Sequence, residues 1–117
     1  MTLKLETRRH DGVTIVACTG RITFGDEAGG LRERVKAELA TSKKIILDLT
    51  GVISIDSGGL GTLVGLYSSA RASGADIKLT GLGQRLRDVL SITKLSTVFE
   101  VYDNEQQAMA AFQPGRG

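Results

Sequence analysis

Apolar and polar residues alternate at the start of the chain, with Leu3, Leu5 and Thr7 set against Lys4, Glu6 and Arg8. A period of two residues is that of a half-buried strand. Asp11-Gly12 follows, a strong tight-hairpin signal, so a second strand over Val13 to Thr19 should run antiparallel to the first. Gly20 is expected to break it. The period then lengthens. From Asp26 or Glu27, Leu31, Val35 and Leu39 form one stripe while Arg32, Glu33, Arg34, Lys36 and Glu38 lie elsewhere, an amphipathic helix that ends at Thr41-Ser42.

Lys44 to Leu49 contains Ile45-Ile46-Leu47, which suggests a third strand covered on both faces. Leu60, Leu63, Val64 and Tyr67 mark a second helix that reaches Ala72, with Gly74 as a natural C-terminal cap. Ile77 and Leu79 indicate a fourth strand, and Leu86, Val89 and Leu90 a third helix over Leu82 to Ile92. Val98 to Tyr102 reads as a short last strand and Glu105 to Phe112 as a last helix. Strands alternating with helices after one opening hairpin predict a single α/β domain over residues 1–113, a mixed sheet of roughly four or five strands with about four helices. Gln113 is the start of a fraying end, and residues 114–117 are expected to be a disordered tail.

Composition narrows the function classes. A chain of 117 residues can bury an ordinary core without staples. Its one cysteine, Cys18, has no internal partner and lies in an apolar strand, which fits a small buried hydrophobe in a reducing compartment. The first residues lack the apolar segment of a signal peptide, and no apolar run has the length of a membrane span; a cytoplasmic protein is expected. Fifteen basic and 13 acidic residues give a net charge of +2, the basic residues are scattered, and the aromatics are two Tyr and three Phe. Nucleic-acid binding is not expected from that balance.

Catalytic chemistry also finds no footing. Ser57 is not in a G-x-S-x-G elbow, because Ile55 and Gly59 occupy the flanking positions. The only histidine, His10, belongs to the opening hairpin, and one His with one Cys makes no zinc site. The glycines near Ser57 are not followed by Gly-Lys-Ser/Thr, and no G-x-G-x-x-G follows the first strand, so neither nucleotide motif is present. Asp48 and Asp56 form an acidic pair in sequence, and Asp48, near the end of a strand, has the position of a phospho-accepting aspartate; the other residues of a receiver domain are not in place. No enzyme, metal or cofactor is expected.

What remains is Asp56-Ser57-Gly58-Gly59-Leu60-Gly61, between a strand and a helix. A short polar side chain before an amphipathic run is how a helix N-terminus is written, and either Asp56 or Ser57 can cap it. Gly58 and Gly59, in an exposed first turn, would let another chain approach closely; Gly61 and Gly65 would let the helix pack tightly on the sheet. Phosphorylation of Ser57 would add about −1.5 to −2 charges at a helix end that tolerates an anion, while a partner lying on the glycines would meet new bulk and charge. Plain capping and a phosphorylation switch both fit these residues.

The run Ile46-Leu47-Asp48-Leu49, followed by Ile55-Asp56-Ser57-Gly58-Gly59-Leu60-Gly61-Thr62-Leu63, resembles the signature of STAS domains, the anti-sigma factor antagonist family. Gly20, Gly74 and Ile92-Thr93-Lys94-Leu95 before Val98-Phe99 extend the resemblance over nearly the whole chain. It implies a bacterial regulator that binds a kinase-type anti-sigma factor when unphosphorylated and so releases the sigma factor. The resemblance makes Ser57 the phosphoacceptor of that serine kinase, which brings its own ATP, with a PP2C-type phosphatase reversing the modification. Partner contact would then involve Asp56, Gly58, Gly59 and Gly61, and also Arg21 and Thr23 in the segment after Gly20. The chain departs from the family where Gly58 stands in place of Ser, Thr or Ala, and where Arg21-Ile22-Thr23 replaces Glu-Leu-Asp. Isolated STAS domains also serve as non-switched subunits of transport or signalling complexes, and a small-ligand or nucleotide site at the same helix start is a third reading.

Overall fold

The structure is a computed structural model that describes residues 3–112. The expected tail, 114–117, lies outside the described residues. Strands β1 (Leu3–His10) and β2 (Val13–Ile22) pair antiparallel, with Leu3 opposite Gly20 and His10 opposite Val13. Asp11 (φ 51°) and Gly12 (φ 79°) both take positive φ, as the tight hairpin turn between twisted strands requires.

Gly20 does not end β2. It lies beside a shift in register, and its φ of 117° bends the strand so that Arg21 and Ile22 continue to pair, opposite Ser54 and Ile55. That longer partner also prolongs β3, which spans Lys44–Ile55 instead of stopping at Leu49. Thr50-Gly51 resembles a turn in sequence, but Gly51 is a point of close contact within the sheet: a Cβ there would lie 2.8 Å from Thr19 Oγ1 and 3.0 Å from the Cys18 carbonyl.

Helices α1 (Asp26–Leu39) and α2 (Ser57–Ala72) flank β3, and β4 (Asp76–Thr80) follows. Helix α3 (Gln84–Ile92) starts later than its apolar pattern suggests, because Leu82 is a buried loop residue. A 3-10 turn (Leu95–Thr97), which the sequence pattern does not reveal, precedes the short β5 (Glu100–Tyr102) and α4 (Glu105–Ala111).

The sheet order is β1-β2-β3-β4-β5, with every pair after the first parallel. Successive right-handed crossovers in one direction place their helices on one face. The main core lies there: Val16, Cys18, Ile45, Leu47, Ile77 and Leu79 from the strands meet Leu31, Val35, Leu63, Leu66, Ala70, Leu86 and Leu90 from the helices. Burial pushes the Cys18 thiol up to about 12, so it is held as an inert neutral group. The opposite face has a smaller cluster, Val13, Ile15 and Ile46 under Ala108 of α4. Beside it the buried Lys78 ammonium donates to Asp76 at 3.0 Å and Glu100 at 2.6 Å, and sits 4.5 Å above the Phe112 ring.

Candidate functional site

The added length of β3 brings the strand to within one residue of α2. That residue, Asp56, is the N-cap: its backbone is extended (φ −104°, ψ −177°) and its Oδ1 accepts the Gly59 N–H at 2.8 Å. The same carboxylate reaches sideways, accepting the Phe24 N–H at 3.1 and 3.0 Å through its two oxygens. The Asp56 N–H donates to the Ile22 carbonyl at 3.3 Å. Asp56 thus fastens the loop after β2 to the start of α2. Donation from Phe24, then from Gly59, holds its carboxyl below the usual carboxylate range.

With the cap supplied by Asp56, Ser57 is the first helical residue. It is exposed, and its hydroxyl makes no hydrogen bond among the described residues. The two glycines after it do not form the bare, exposed turn expected from sequence. Gly59 is buried, and a Cβ there would lie 2.0 Å from the Ile22 carbonyl oxygen. At Gly58 a Cβ would lie 2.6 Å from Phe24 Cβ and 3.1 Å from its Cα. Both make room for the chain's own β2–α1 connection. Gly61 and Gly65 reverse the expectation in the other direction: they are exposed, and a Cβ at either would meet nothing within 4 Å.

These residues line an open groove between α1 and α2, with a volume of about 390 Å³. Its α2 wall presents Ser57, Gly58, Gly61, Thr62, Gly65 and Ser69; its other wall presents Phe24, Arg32 and Lys36. Phe24 is 82% exposed although its backbone is pinned by Asp56, and among the described residues no carboxylate lines the groove. The groove is therefore cationic on one side, bare along its floor, and closed at one end by an aromatic ring next to a free serine hydroxyl.

Sequence patterning did not single out Phe24, Arg32 or Lys36. Phe24 had a signal, being a large apolar residue in an otherwise polar loop; Arg32 and Lys36 look like any solvated helix face until α2 is beside them. Thr23 shapes the entry to α1, its hydroxyl donating to Glu27 at 3.3 Å and its carbonyl accepting the Ala28 N–H at 3.0 Å. Arg21 is exposed as the penultimate residue of β2 and lies outside the groove lining. Asp48 is not paired with Asp56. It accepts from the Thr50 N–H and hydroxyl on the α4 side of the sheet, near Arg8 and Glu105, and shares no partner with Asp56. His10 sits exposed in the hairpin, 3.3 Å from Asp11. Among the described residues, no group of three or more His, Cys, Asp or Glu side chains is gathered for a metal ion, and no helix is long and apolar enough to cross a membrane.

The anti-sigma F factor antagonist of Paenibacillus polymyxa is 26% identical over 117 residues, covering 97% of each chain. The crystal structure of an anti-sigma factor antagonist from Mycobacterium paratuberculosis shares the fold with a TM-score of 0.82 at 24% identity, over 94% of this chain and 93% of that one. The Bacillus cell fate determinant SpoIIAA, solved in its phosphorylated form, superposes with a TM-score of 0.72 at 14% identity, over 94% of this chain and 100% of that one. Residues 4–108, from β1 into α4, match the STAS domain model, and the chain belongs to the STAS domain family.

Proposed function

We propose that this protein is an anti-sigma factor antagonist that binds a kinase-type anti-sigma factor through the α1–α2 groove and is switched off by phosphorylation at Ser57. The observation that carries the proposal is the separation of roles at the helix start: Asp56 holds the fold, so Ser57 is left exposed with an uncommitted hydroxyl. The names of the relatives support the class of partner, and the phosphorylated form of SpoIIAA is a precedent for modification on this fold. In the reaction, Ser57 Oγ attacks the γ-phosphorus of ATP held by the kinase. The bond to the β–γ bridging oxygen breaks, ADP leaves, and the hydroxyl proton passes to a base of the kinase. A PP2C-type phosphatase would restore the serine by hydrolysis.

Exposed Gly61 and Gly65 support a docking role for the groove. Glycine inside a helix costs about 1 kcal/mol relative to alanine, and neither position has a neighbour that a methyl group would strike. The bare floor lets a partner's backbone or a kinase loop approach Ser57. Incubation with ATP and a kinase-type anti-sigma factor from the same genome should add one phosphate to the wild type by intact mass, and none to Ser57→Ala. Equal modification of both proteins would rule Ser57 out as the acceptor.

A further inference from the structure

Two cations face the groove without partners of their own. Arg32 and Lys36 stand one turn apart on α1, and neither makes an ion pair or hydrogen bond among the described residues. Their neighbours on the same helix are committed differently: Arg34 donates to Thr7 at 2.7 Å, and Glu38 pairs with Arg9 at 2.6 Å. The carboxylate adjacent to Ser57 in the chain, that of Asp56, is turned to the Phe24 and Gly59 N–H groups. Helices α1 and α2 both start from the same edge of the sheet, because each follows a strand of the parallel set. Arg32 is one turn nearer than Lys36 to the start of α1, and so lies closer to the end of the groove where α2 and Ser57 begin.

We propose that Arg32, with Lys36 behind it, is an internal receptor for the phosphate on Ser57, so that the modified groove is occupied from within. The inference rests on Ser57 being the phosphoacceptor. In the unmodified protein the two cations are free to meet acidic groups of a partner. Once the phosphate is present, Arg32 can give it a charge-assisted, bidentate contact, with Lys36 adding a second positive charge. Phosphorylation then removes a positive wall from the partner as well as placing an anion in its way, and it ties α1 to the start of α2. Gly58 and Gly61 on the α2 wall put no side chain between the two sides.

The test needs no kinase. Phosphoserine is installed at position 57 during translation, and the second phosphate ionisation is followed by phosphorus NMR across the pH range. An opposite charge close to the phosphate favours the dianion, so the Arg32→Gln/Lys36→Gln phosphoprotein should ionise about 0.5 pH unit or more above the wild-type phosphoprotein. Lys4→Gln, on the other face of the sheet, should leave the titration unchanged. Raising the salt to molar concentration should bring the wild type toward the double variant. Coincident titrations of wild type and double variant, or an equal shift in Lys4→Gln, would overturn the receptor. The mass assay with the kinase judges Ser57 as acceptor separately, so a failed receptor and a failed acceptor give different results.

Discussion

Asp56 and Ser57 are adjacent, yet their side chains meet opposite demands. The carboxylate answers N–H groups from both the loop before α1 and the first turn of α2, whereas the hydroxyl answers none among the described residues. Because the folded Asp56 ionises below its ordinary value, the stability it contributes is complete above about pH 4 and is lost as the pH falls through the lower folded value. The protection of the Phe24 and Gly59 amides against hydrogen exchange, taken relative to the intrinsic exchange rate at each pH, should therefore fall in acid in the wild type, and vary less with pH in Asp56→Asn, which keeps a capping oxygen without the titration. Identical acid profiles would show that the carboxylate does not fasten the loop. From sequence, either residue could have been the cap. The choice depends on Phe24 N–H, which is distant in the chain and arrives only because β2 runs past Gly20.

Within α2, the sequence assigns Gly58 and Gly59 to close approach by another chain and Gly61 and Gly65 to packing on the sheet, and the fold reverses the two assignments. Gly58 and Gly59 face the chain's own backbone, while Gly61 and Gly65 face open space. Gly59→Ala, whose Cβ would strike the Ile22 carbonyl, should cost about 3 kcal/mol by denaturant unfolding. Gly61→Ala and Gly65→Ala should each stabilise the protein by about 1 kcal/mol while weakening partner binding. A stabilised Gly61→Ala/Gly65→Ala protein that binds its partner as well as wild type would remove the groove floor from the docking surface. The helix itself was legible from Leu60, Leu63, Val64 and Tyr67, of which Leu63 is buried and the others half-buried, although the stripe it buries most deeply also includes Leu66 and Ala70. Its start was legible to within one residue, Asp56 or Ser57, whereas the length of β3 was not, because that strand extends through Thr50-Gly51, where the prolonged β2 pairs with it.

For the molecule as a whole, the hairpin and the alternation of strands and helices were sufficient to read a mixed α/β sheet, and the Asp56-Ser57 run brought the family into view. The division of the two sheet faces followed from topology. Crossovers of one hand stack α1 beside α2, and their line of contact becomes a groove whose cations neither helix reveals alone. The other face holds the Lys78 network and α4, with none of the groove residues, so the groove lies on the side of the sheet that also carries the main core. The central claim is that one phosphate at Ser57 turns that docking side off. It is tested most directly by calorimetric titration of a kinase-type anti-sigma factor from the same genome with the unmodified protein and with the protein carrying phosphoserine at position 57. The account predicts binding by the unmodified protein and affinity at least roughly tenfold weaker for the phosphorylated one, under matched salt. Equal affinity of the two forms would contradict it.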